Sequence, residues 1–403
     1  MNLVWTTEDF KIEGHVLPNL PMLMSSDEEA YPLIAPNRYL LYLACENVRT
    51  HSPKTLRTYA EALYDYFSFL EANSLTWDSW HDEILNLSPL MLYRNWSLES
   101  VNTGSRRRQL SNSTVNTRLA ALKGFYSWAK REELIANLPW KETEVAVSRL
   151  MGPRFAKSFS TTAKSDNLLL PQFRKPPKIL NLAQVKELIS ACNSPTFNLM
   201  TKLMLGTGLR NEECRTFPRR YIVDPTGFTQ EQRIPIELNP ADMRIKGNKP
   251  RRIYISCKLM AELKNYLLFG ENVVRTKLFN RANSGQEPIE LFLNRWGEPF
   301  SERALNLAYR YLWAGRERSP PVLNFKVTPH ILRHTFATHE LHAENQKRDL
   351  ISALSWVRDR LGHSSLQTTT IYIHCLDQLA QTAMNAYQEE LDRLLKDVVA
   401  DAL

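Results

Sequence analysis

Two residues with the potential for chemistry stand nine positions apart in the segment LGHSSLQTTTIYIH, namely His363 and Tyr372. A tyrosine hydroxyl is a weak nucleophile at neutral pH because its unperturbed pKa is about 10. Catalysis by Tyr372 therefore requires nearby cations that stabilise the phenolate. Without them Tyr372 is a buried aromatic side chain, the more common state of a tyrosine in an apolar setting.

Two segments upstream carry further charged and acid–base groups. LGTGLRNEECRTF places Arg210 and Glu213 three residues apart. VTPHILRHTFATHEL places His330 and Arg333 at the same spacing, so these two side chains share one helix face. Either pair taken alone is typical of an ordinary helix surface, where such a contact contributes roughly a few tenths of a kcal/mol.

A hairpin pattern supplies two lysines. RIPIEL, DMRIK and RRIYIS alternate or are β-rich, and GNKP is the predicted turn. Lys246 and Lys249 stand at the predicted tip. Lysines at such a tip commonly serve only to protect a sheet edge and to maintain solubility.

The set as a whole indicates one reaction, the attack of a tyrosine phenolate on a phosphodiester. Two guanidinium groups can bind the non-bridging oxygens and stabilise charge on phosphorus. A lysine or histidine can protonate the leaving 5′ oxygen, and a second histidine can take the tyrosine proton or bind phosphate. The covalent link separates strand cleavage from rejoining. The set comprises Arg210, Lys246, His330, Arg333, His363 and Tyr372.

No metal or other cofactor is expected. His330, His334, His339 and His342 form a cluster in sequence, but HELHA has Ala343 where a zinc-protease HExxH motif has its second histidine. No acidic or cysteine partner completes a metal site at the usual spacing.

Length and charge favour a multidomain protein with a nucleic-acid partner. The chain has 403 residues, enough for two or three domains, with a formal net charge of +8 and a pI near 9.1. Basic residues cluster in SRRRQL, RTFPRR and KGNKPRR. Each cluster alone is typical of a solvated face, and their combination favours association with nucleic acid.

Cysteine spacing and hydropathy favour a cytoplasmic location without membrane association. The five cysteines have neither metal nor disulfide spacing, which fits reduced thiols. The charged N-terminal stretch does not resemble a signal peptide. The longest apolar run, YLLYLAC, is far shorter than the ~20 residues that a membrane span needs.

The patterns predict a mainly α-helical chain with a small antiparallel β-sheet. Residues 1–30 are predicted as an N-terminal extension with at most a short strand, 31–145 as a helical domain, 146–178 as a linker, and 179–403 as the domain with the candidate site.

Capping signals and apolar periodicity locate several helices. Ser52 is placed to cap a helix whose first residue is Pro53. STVNTRLAALKGFYSWAKREEL repeats apolar residues at helical spacing. Asn181 and Gln184 resemble a capping box. LDQLAQTAMNAYQEELDRLLKDVV predicts a final amphipathic helix.

These segments resemble the tyrosine recombinase (phage integrase) family. TGLRNEE, KGNKPRR, HILRHTFATH and LGHSSLQTTTIYIH occur in the family's order over residues of about 180 to 380. Residues 31–145 are similar, less specifically, to the family's helical core-binding (SAM-like) domain. Two intervals are longer than in compact members, so DPTGFTQEQRIPIELNPAD and AENQKRDLISALSWVRD look like insertions.

The resemblance implies roles for the cationic residues. Arg210 and Arg333 would bind the scissile phosphate, and Glu213 would position the pocket. Lys246 would be the general acid. Lys249 is the alternative, although Lys246 is preferred because it directly precedes the Gly-Asn turn.

The resemblance also implies roles for the remaining groups. His330 would be an acid–base group and His363 would contact phosphate. Tyr372 would be the nucleophile that forms a 3′-phosphotyrosyl intermediate.

The implied partner is double-stranded DNA with inverted-repeat core sites, enclosed by a two-domain clamp. A monomer or weak oligomer would assemble into a homotetramer on this DNA, and an accessory directionality factor is a further candidate partner. The final helix would either dock on a neighbouring protomer or pack within its own chain. DNA contacts are expected from Lys54, Arg57, Arg106, Arg107, Arg108, Lys123, Lys249 and Arg251.

The leading hypothesis is a site-specific recombinase that integrates or excises a mobile element. An Xer-like recombinase that resolves chromosome or plasmid dimers would use the same chemistry. A type IB topoisomerase would act as a monomer without sequence preference. A DNA-binding regulator that has lost catalysis is disfavoured because all six residues of the set are present.

Overall fold

A computed structural model describes residues 1–26, 29–46, 52–99, 110–146, 162–171, 176–317 and 319–376. The chain divides into two units, Met1–Arg174 and Lys175–Leu403. Both are mainly helical, and their strands pair antiparallel in two-stranded sheets. This confirms the predicted fold class.

The first unit combines short strands with a helical core. Its elements are β1 (Asn2–Trp5), β2 (Lys11–Ile12), β3 (His15–Val16), β4 (Pro21–Met24), α1 (Ile34–Leu41), α2 (Pro53–Ala72), α3 (Pro89–Glu99), α4 (Asn112–Arg131), β5 (Glu142–Ala146) and β6 (Thr162–Asp166).

The predicted helix signals of this unit are confirmed. Pro53 is the first residue of α2, and Ser52 Oγ accepts a hydrogen bond from the Thr55 amide at 3.2 Å. The amide of a first-turn residue would otherwise lack a partner within the helix. The apolar stripe predicted for α4 lies in the core: Val115, Leu119, Leu122, Phe125 and Trp128.

Described residues on both sides of this helical core also form strands. Strand β1 pairs with β4, and the Asn37 side chain bonds both the amide and the carbonyl of Leu23 at 2.8 Å. Strand β6 pairs with β5, and Leu168 beyond it is buried in the core of the first unit. Apolar residues outside the predicted helices therefore contribute to this core.

The second unit carries the candidate site. Its elements are α5 (Leu182–Ala191), α6 (Pro195–Thr207), α7 (Asn211–Arg215), β7 (Arg233–Leu238), β8 (Arg251–Ser256), α8 (Cys257–Phe269), α9 (Glu271–Ala282), α10 (Ala304–Ala314), α11 (Pro329–Asn345) and α12 (Leu350–Leu361), followed by 3₁₀ turns at Leu366–Thr368 and Thr370–Tyr372. The capping box at the start of α5 is confirmed, with Asn181 and Gln184 bonding each other's backbone amides.

The hairpin differs from its prediction, because DMRIK is not a strand. Strand β7 pairs directly with β8, from Arg233 opposite Ser256 to Leu238 opposite Arg251. After Leu238 the chain turns at Asn239, whose carbonyl accepts a bond from the Asp242 amide at 3.0 Å. Met243 and Ile245 are buried, so their side chains, and not a strand ladder, anchor this segment.

Helices α11 and α12 and the turns that follow form a separate apolar cluster, which includes Phe336, Leu354 and Tyr372. The stretch interpreted as an insertion, AENQKRDLISALSWVRD, includes most of α12 and contributes Leu354 and Val357 to this cluster. The predicted final helix lies outside the described residues from Asp377 onward. In the described part of the chain, no helix is long and apolar enough to cross a membrane.

Candidate active site

A buried carboxylate, Glu213, organises one side of the site. Helix α7 begins directly after Arg210, and the Arg210 amide donates to Glu213 Oε2 at 2.7 Å. The Arg210 guanidinium also bonds Glu213 Oε1 at 3.0 Å. Burial opposes ionisation of Glu213, but hydrogen bonds and charge from Arg251, with the charge of Arg210, outweigh it and lower the pKa of Glu213 to about 2.

Arg251 completes this arrangement from the first position of β8. Its two terminal nitrogens donate to the two Glu213 oxygens at 2.9 and 2.6 Å, and its Nε donates to the Arg360 carbonyl at 3.0 Å. Only 7% of Arg251 is exposed. The guanidinium of Arg251, which was expected to contact DNA, is bonded in this structure to Glu213 and to the end of α12.

The low pKa of Glu213 predicts an acid-sensitive contribution to stability. Its folded-state pKa of about 2 lies below the ordinary 4.5, so the stabilisation is present above pH 4.5 and is lost as the pH falls through 2. A shift of this size corresponds to about 3 kcal/mol. Urea denaturation of wild type and Glu213→Gln should show a steeper loss of unfolding free energy in the wild type over this interval. Equal losses in the two proteins would contradict the assigned pKa.

Arg333 is buried in the second unit, with 2% of its surface exposed. Its terminal nitrogens donate to the carbonyls of Gly208 and Leu361, each at 2.6 Å. Gly208 ends α6 in the left-handed region, with φ of 68°, and an added Cβ would lie 2.4 Å from a Phe336 ring carbon. Burial, followed by the charge of Arg210, lowers the pKa of Arg333 to about 9, so the guanidinium stays protonated at neutral pH.

Two histidines project from the first turns of α11. The helix starts with Pro329, and Thr328 caps it by accepting from the Ile331 amide at 3.3 Å. The rings of His330 and His334 lie edge to face, with centroids 4.2 Å apart. Desolvation and the charges of Arg333, Arg210 and Lys246 lower the pKa of His330.

His334 is the residue of the site that the sequence patterns did not assign. Its Nδ1 lies 3.1 Å from the Tyr372 hydroxyl. Burial, followed by His330 and Arg333, lowers the pKa of His334 to about 4. The available signal was its position four residues after His330, which places the two histidines on the same helix face.

Tyr372 is buried, with 1% of its surface exposed. Burial raises its pKa to about 12, Arg333 and Arg210 oppose this increase, and Cys375 adds to it. The His363 ring lies nearly parallel to the tyrosine ring, with an interplanar angle of 11° and centroids 6.4 Å apart.

His363 follows the end of α12. Gly362 ends this helix in the left-handed region, and the His363 amide bonds the Arg358 carbonyl at 3.1 Å. His363 Nδ1 lies 3.0 Å from Thr369 Oγ1. Burial, followed by the charges of Arg333 and Arg210, lowers the pKa of His363 to about 3, so the ring is neutral at pH 7.

The two candidate lysines lie in the loop between β7 and β8, and both are exposed. Lys246 precedes Gly247, whose φ of 79° suits the third position of a type II turn. The charge of Lys246 contributes to the lowered pKa of His330. Lys249 lines a cavity of about 520 Å³ that His363 also borders.

The basic residues expected to bind DNA in the first unit have mixed environments. Arg57 pairs with Glu61 at 2.9 Å, and its guanidinium lies 5.4 Å from the centre of the Trp5 ring. Lys123 pairs with Asp166. Lys54 is exposed in the first turn of α2. Arg106, Arg107 and Arg108 lie outside the described residues.

Comparisons with known proteins identify both units. The profile described as "Phage integrase family" matches residues 178–378, and "Phage integrase, N-terminal SAM-like domain" matches residues 37–133. The tyrosine recombinase XerC of Escherichia coli (strain K12 / DH10B) is 29% identical over 338 residues, which cover 84% of this chain and 90% of that protein. XerC of Lacticaseibacillus casei (strain BL23) is 25% identical over 350 residues, which cover 85% and 93%.

Solved structures agree on the fold. XerH site-specific recombinase bound to palindromic difH substrate has a TM-score of 0.51 at 20% identity, with 87% of this chain and 84% of that chain covered. The Tn1549 transposon integrase in complex with circular intermediate DNA has a TM-score of 0.50 at 18% identity, with 84% and 95% covered.

The chain therefore belongs to the phage integrase family, and it is a tyrosine-type site-specific recombinase, an enzyme that breaks and rejoins DNA strands.

Proposed function

We propose that Tyr372 cleaves DNA by attacking a phosphodiester in the second unit. The tyrosine oxygen forms a bond to phosphorus, the bond from phosphorus to the 5′ oxygen breaks, and a 3′-phosphotyrosyl link remains. Rejoining is the reverse, with a 5′ hydroxyl as the attacking group. The observation that carries this proposal is the hydrogen bond of the Tyr372 hydroxyl to His334, in a site where Arg333 and Arg210 favour the phenolate.

The two arginines have different parts in this proposal. Arg210 is only partly buried, and its terminal nitrogen on Glu213 leaves further donors for a phosphate oxygen. Arg333 is held rigidly by two carbonyls and supplies positive charge together with its remaining N–H groups. Fixed donors in a site of low dielectric stabilise developing charge at small reorganisation cost.

The remaining groups are assigned by chemistry and position. Lys246 protonates the leaving 5′ oxygen, because an ammonium is a proton donor and its charge acts on His330 in the same site. His330 is an acid–base group, and His363 contacts the phosphate. Lys249 is the alternative donor, since its cavity is bordered by His363.

A substrate with sulfur in place of the leaving 5′ oxygen distinguishes the lysines, because a thiolate leaves without a proton. Lys246→Ala is expected to slow cleavage of ordinary DNA on the order of 10²-fold or more. The sulfur substrate should restore most of this loss. Lys249→Ala, the matched control, should show a smaller loss and no such restoration. Restoration confined to Lys249→Ala would assign the proton donor to Lys249 instead.

The proposed substrate is double-stranded DNA with inverted-repeat core sites, and the proposed biological role is integration or excision of a mobile element. A homotetramer would assemble on the DNA, with an accessory factor to set direction. Support comes from relatives whose structures hold a palindromic difH substrate or a transposon circular intermediate. Resolution of chromosome or plasmid dimers is the second candidate role, because two of the relatives are named tyrosine recombinase XerC.

Detergent trapping in cells tests this role. The wild type and Tyr372→Phe are expressed in a bacterial host that carries the gene's native flanking DNA, and protein-linked DNA ends are sequenced. We expect protein-linked DNA ends from the wild type alone, at one short inverted repeat in the flanking DNA. Ends at the host's dimer-resolution site would favour the second candidate, and scattered ends would favour a topoisomerase. No linked DNA would reject the cleavage proposal.

A further inference from the structure

We propose that His334 is the base that accepts the phenolic proton of Tyr372 during cleavage and returns it during rejoining. This inference rests on the proposed function and adds a seventh residue to its chemistry. His334 lies in direct contact with a reacting atom, since its Nδ1 is 3.1 Å from the Tyr372 hydroxyl.

The other histidines of the site are less suited to this proton. His363 presents its ring face to the tyrosine ring, and its Nδ1 is engaged by Thr369 at 3.0 Å. His330 packs edge to face against His334, and among the described residues the Tyr372 hydroxyl has its hydrogen bond with His334. The contacts of the three histidine rings therefore favour His334 as the acceptor of the Tyr372 proton.

The protonation state of His334 agrees with an accepting role. Its pKa of about 4 means that the imidazole is neutral at pH 7. With the ring proton on Nε2, the Nδ1 lone pair faces the phenol. The charged and titratable groups around the ring are His330 and Arg333 on α11, with Tyr372 and His363 from the segment after α12.

The phosphate of bound DNA favours transfer of the tyrosine proton to His334. Burial and Arg333 disfavour an imidazolium before DNA binds. A phosphate bound to Arg210 and Arg333 adds negative charge beside the ring and favours its protonated form. The proton moves from the tyrosine oxygen to His334 Nδ1 as the oxygen–phosphorus bond forms, while the 5′ oxygen leaves with a proton from Lys246. During rejoining, His334 returns its proton to the tyrosine oxygen and Lys246 regains its proton from the 5′ hydroxyl.

Single-turnover cleavage of a nicked DNA that carries the recovered site tests this step. His334→Ala is expected to form the covalent complex more slowly on the order of 10²- to 10⁴-fold. His342→Ala is the matched control, because His342 is exposed on the same helix. The substrate with a 5′ sulfur leaving group should not restore His334→Ala, although it restores Lys246→Ala. Thermal unfolding of each variant checks that the fold is retained.

A fluorinated tyrosine at position 372 distinguishes a base from a residue that only holds the ring in place. Fluorine lowers the phenol pKa, so the loss caused by His334→Ala should shrink when residue 372 is fluorinated. The proposal would be overturned if His334→Ala reduced the cleavage rate equally with and without fluorine on residue 372. It would also be overturned if the His334→Ala protein cleaved at the wild-type rate. If the wild type itself forms no covalent complex, the proposed function fails, which is a different result from failure of this inference alone.

Discussion

Replacing Tyr372 with phenylalanine is expected to abolish DNA cleavage and to leave both the fold and DNA binding close to those of the wild type. The substitution removes one oxygen, which is the attacking atom, and keeps the ring that packs in the apolar cluster with Phe336 and Leu354. Loss of a nucleophile typically reduces the rate on the order of 10³-fold or more. The hydrogen bond to His334 contributes only about 1 kcal/mol to stability.

The measurement pairs a covalent-complex assay with a binding titration on the same DNA. Tyr309→Phe is the matched control, since Tyr309 is also fully buried in the second unit and loses one hydrogen bond, to Thr201 at 2.9 Å. This control should cleave at nearly the wild-type rate. Covalent complex in the Tyr372→Phe protein would place the nucleophile elsewhere.

Replacing Arg251 with methionine is expected to cause the largest loss of stability among the substitutions considered. Glu213 would remain buried, with 1% exposed, after losing its bidentate partner. Breaking a buried pair by removing one partner costs about 3–5 kcal/mol. The Arg360 carbonyl would also lose its donor. Cleavage should fall as well, because Glu213 helps to hold Arg210.

Chemical denaturation measures the free energy of unfolding of Arg251→Met and of the matched control Arg252→Met. Arg252 is the next residue along β8, but it pairs with Glu237 on the exposed face, so its loss should be small. Adding Glu213→Gln to Arg251→Met should recover part of the lost stability, because the uncompensated charge disappears. Equal effects of Arg251→Met and Arg252→Met would show that the buried pair contributes little.

The candidate catalytic set could be proposed from the sequence because most of its members lie in motifs with local spacing. Arg210 with Glu213, and His330 with Arg333, are separated by one helical turn, which periodicity detects. The partner of Glu213 was not detectable in this way. Arg251 is 38 residues distant and lies in a basic run, where a surface role is the ordinary expectation.

The contact of Tyr372 with His334 could not be detected from local spacing either. The two residues are 38 positions apart, and only the packing of α11 against the turns after α12 brings them together. The segment AENQKRDLISALSWVRD, which includes most of α12, looked like an insertion because the interval from Arg333 to His363 is longer than in compact members of the family. Two of its apolar residues, Leu354 and Val357, belong to the same apolar cluster as the tyrosine, so this segment contributes to the core beside the site.

Short strands were the least predictable elements. Strands β2 and β3 have two residues each, too few to show an alternating pattern. The pairing of β5 with β6 joins residues distant in sequence, and local propensity does not specify it. In the hairpin loop, alternation in DMRIK suggested a strand, whereas Asn239 and Pro240 start a turn that removes it from the ladder. Burial of Met243 and Ile245 explains the same alternation.

Tyr372 is expected to become covalently linked to DNA during cleavage. Wild-type protein is incubated with DNA that carries the recovered site, denatured, and digested with nuclease and protease, and the nucleotide-bearing peptide is sequenced by mass spectrometry. The expected result is a 3′-phosphonucleotide on Tyr372, in the peptide that follows His363. A nucleotide on any other side chain, from protein that cleaves the site, would contradict this account of the active site.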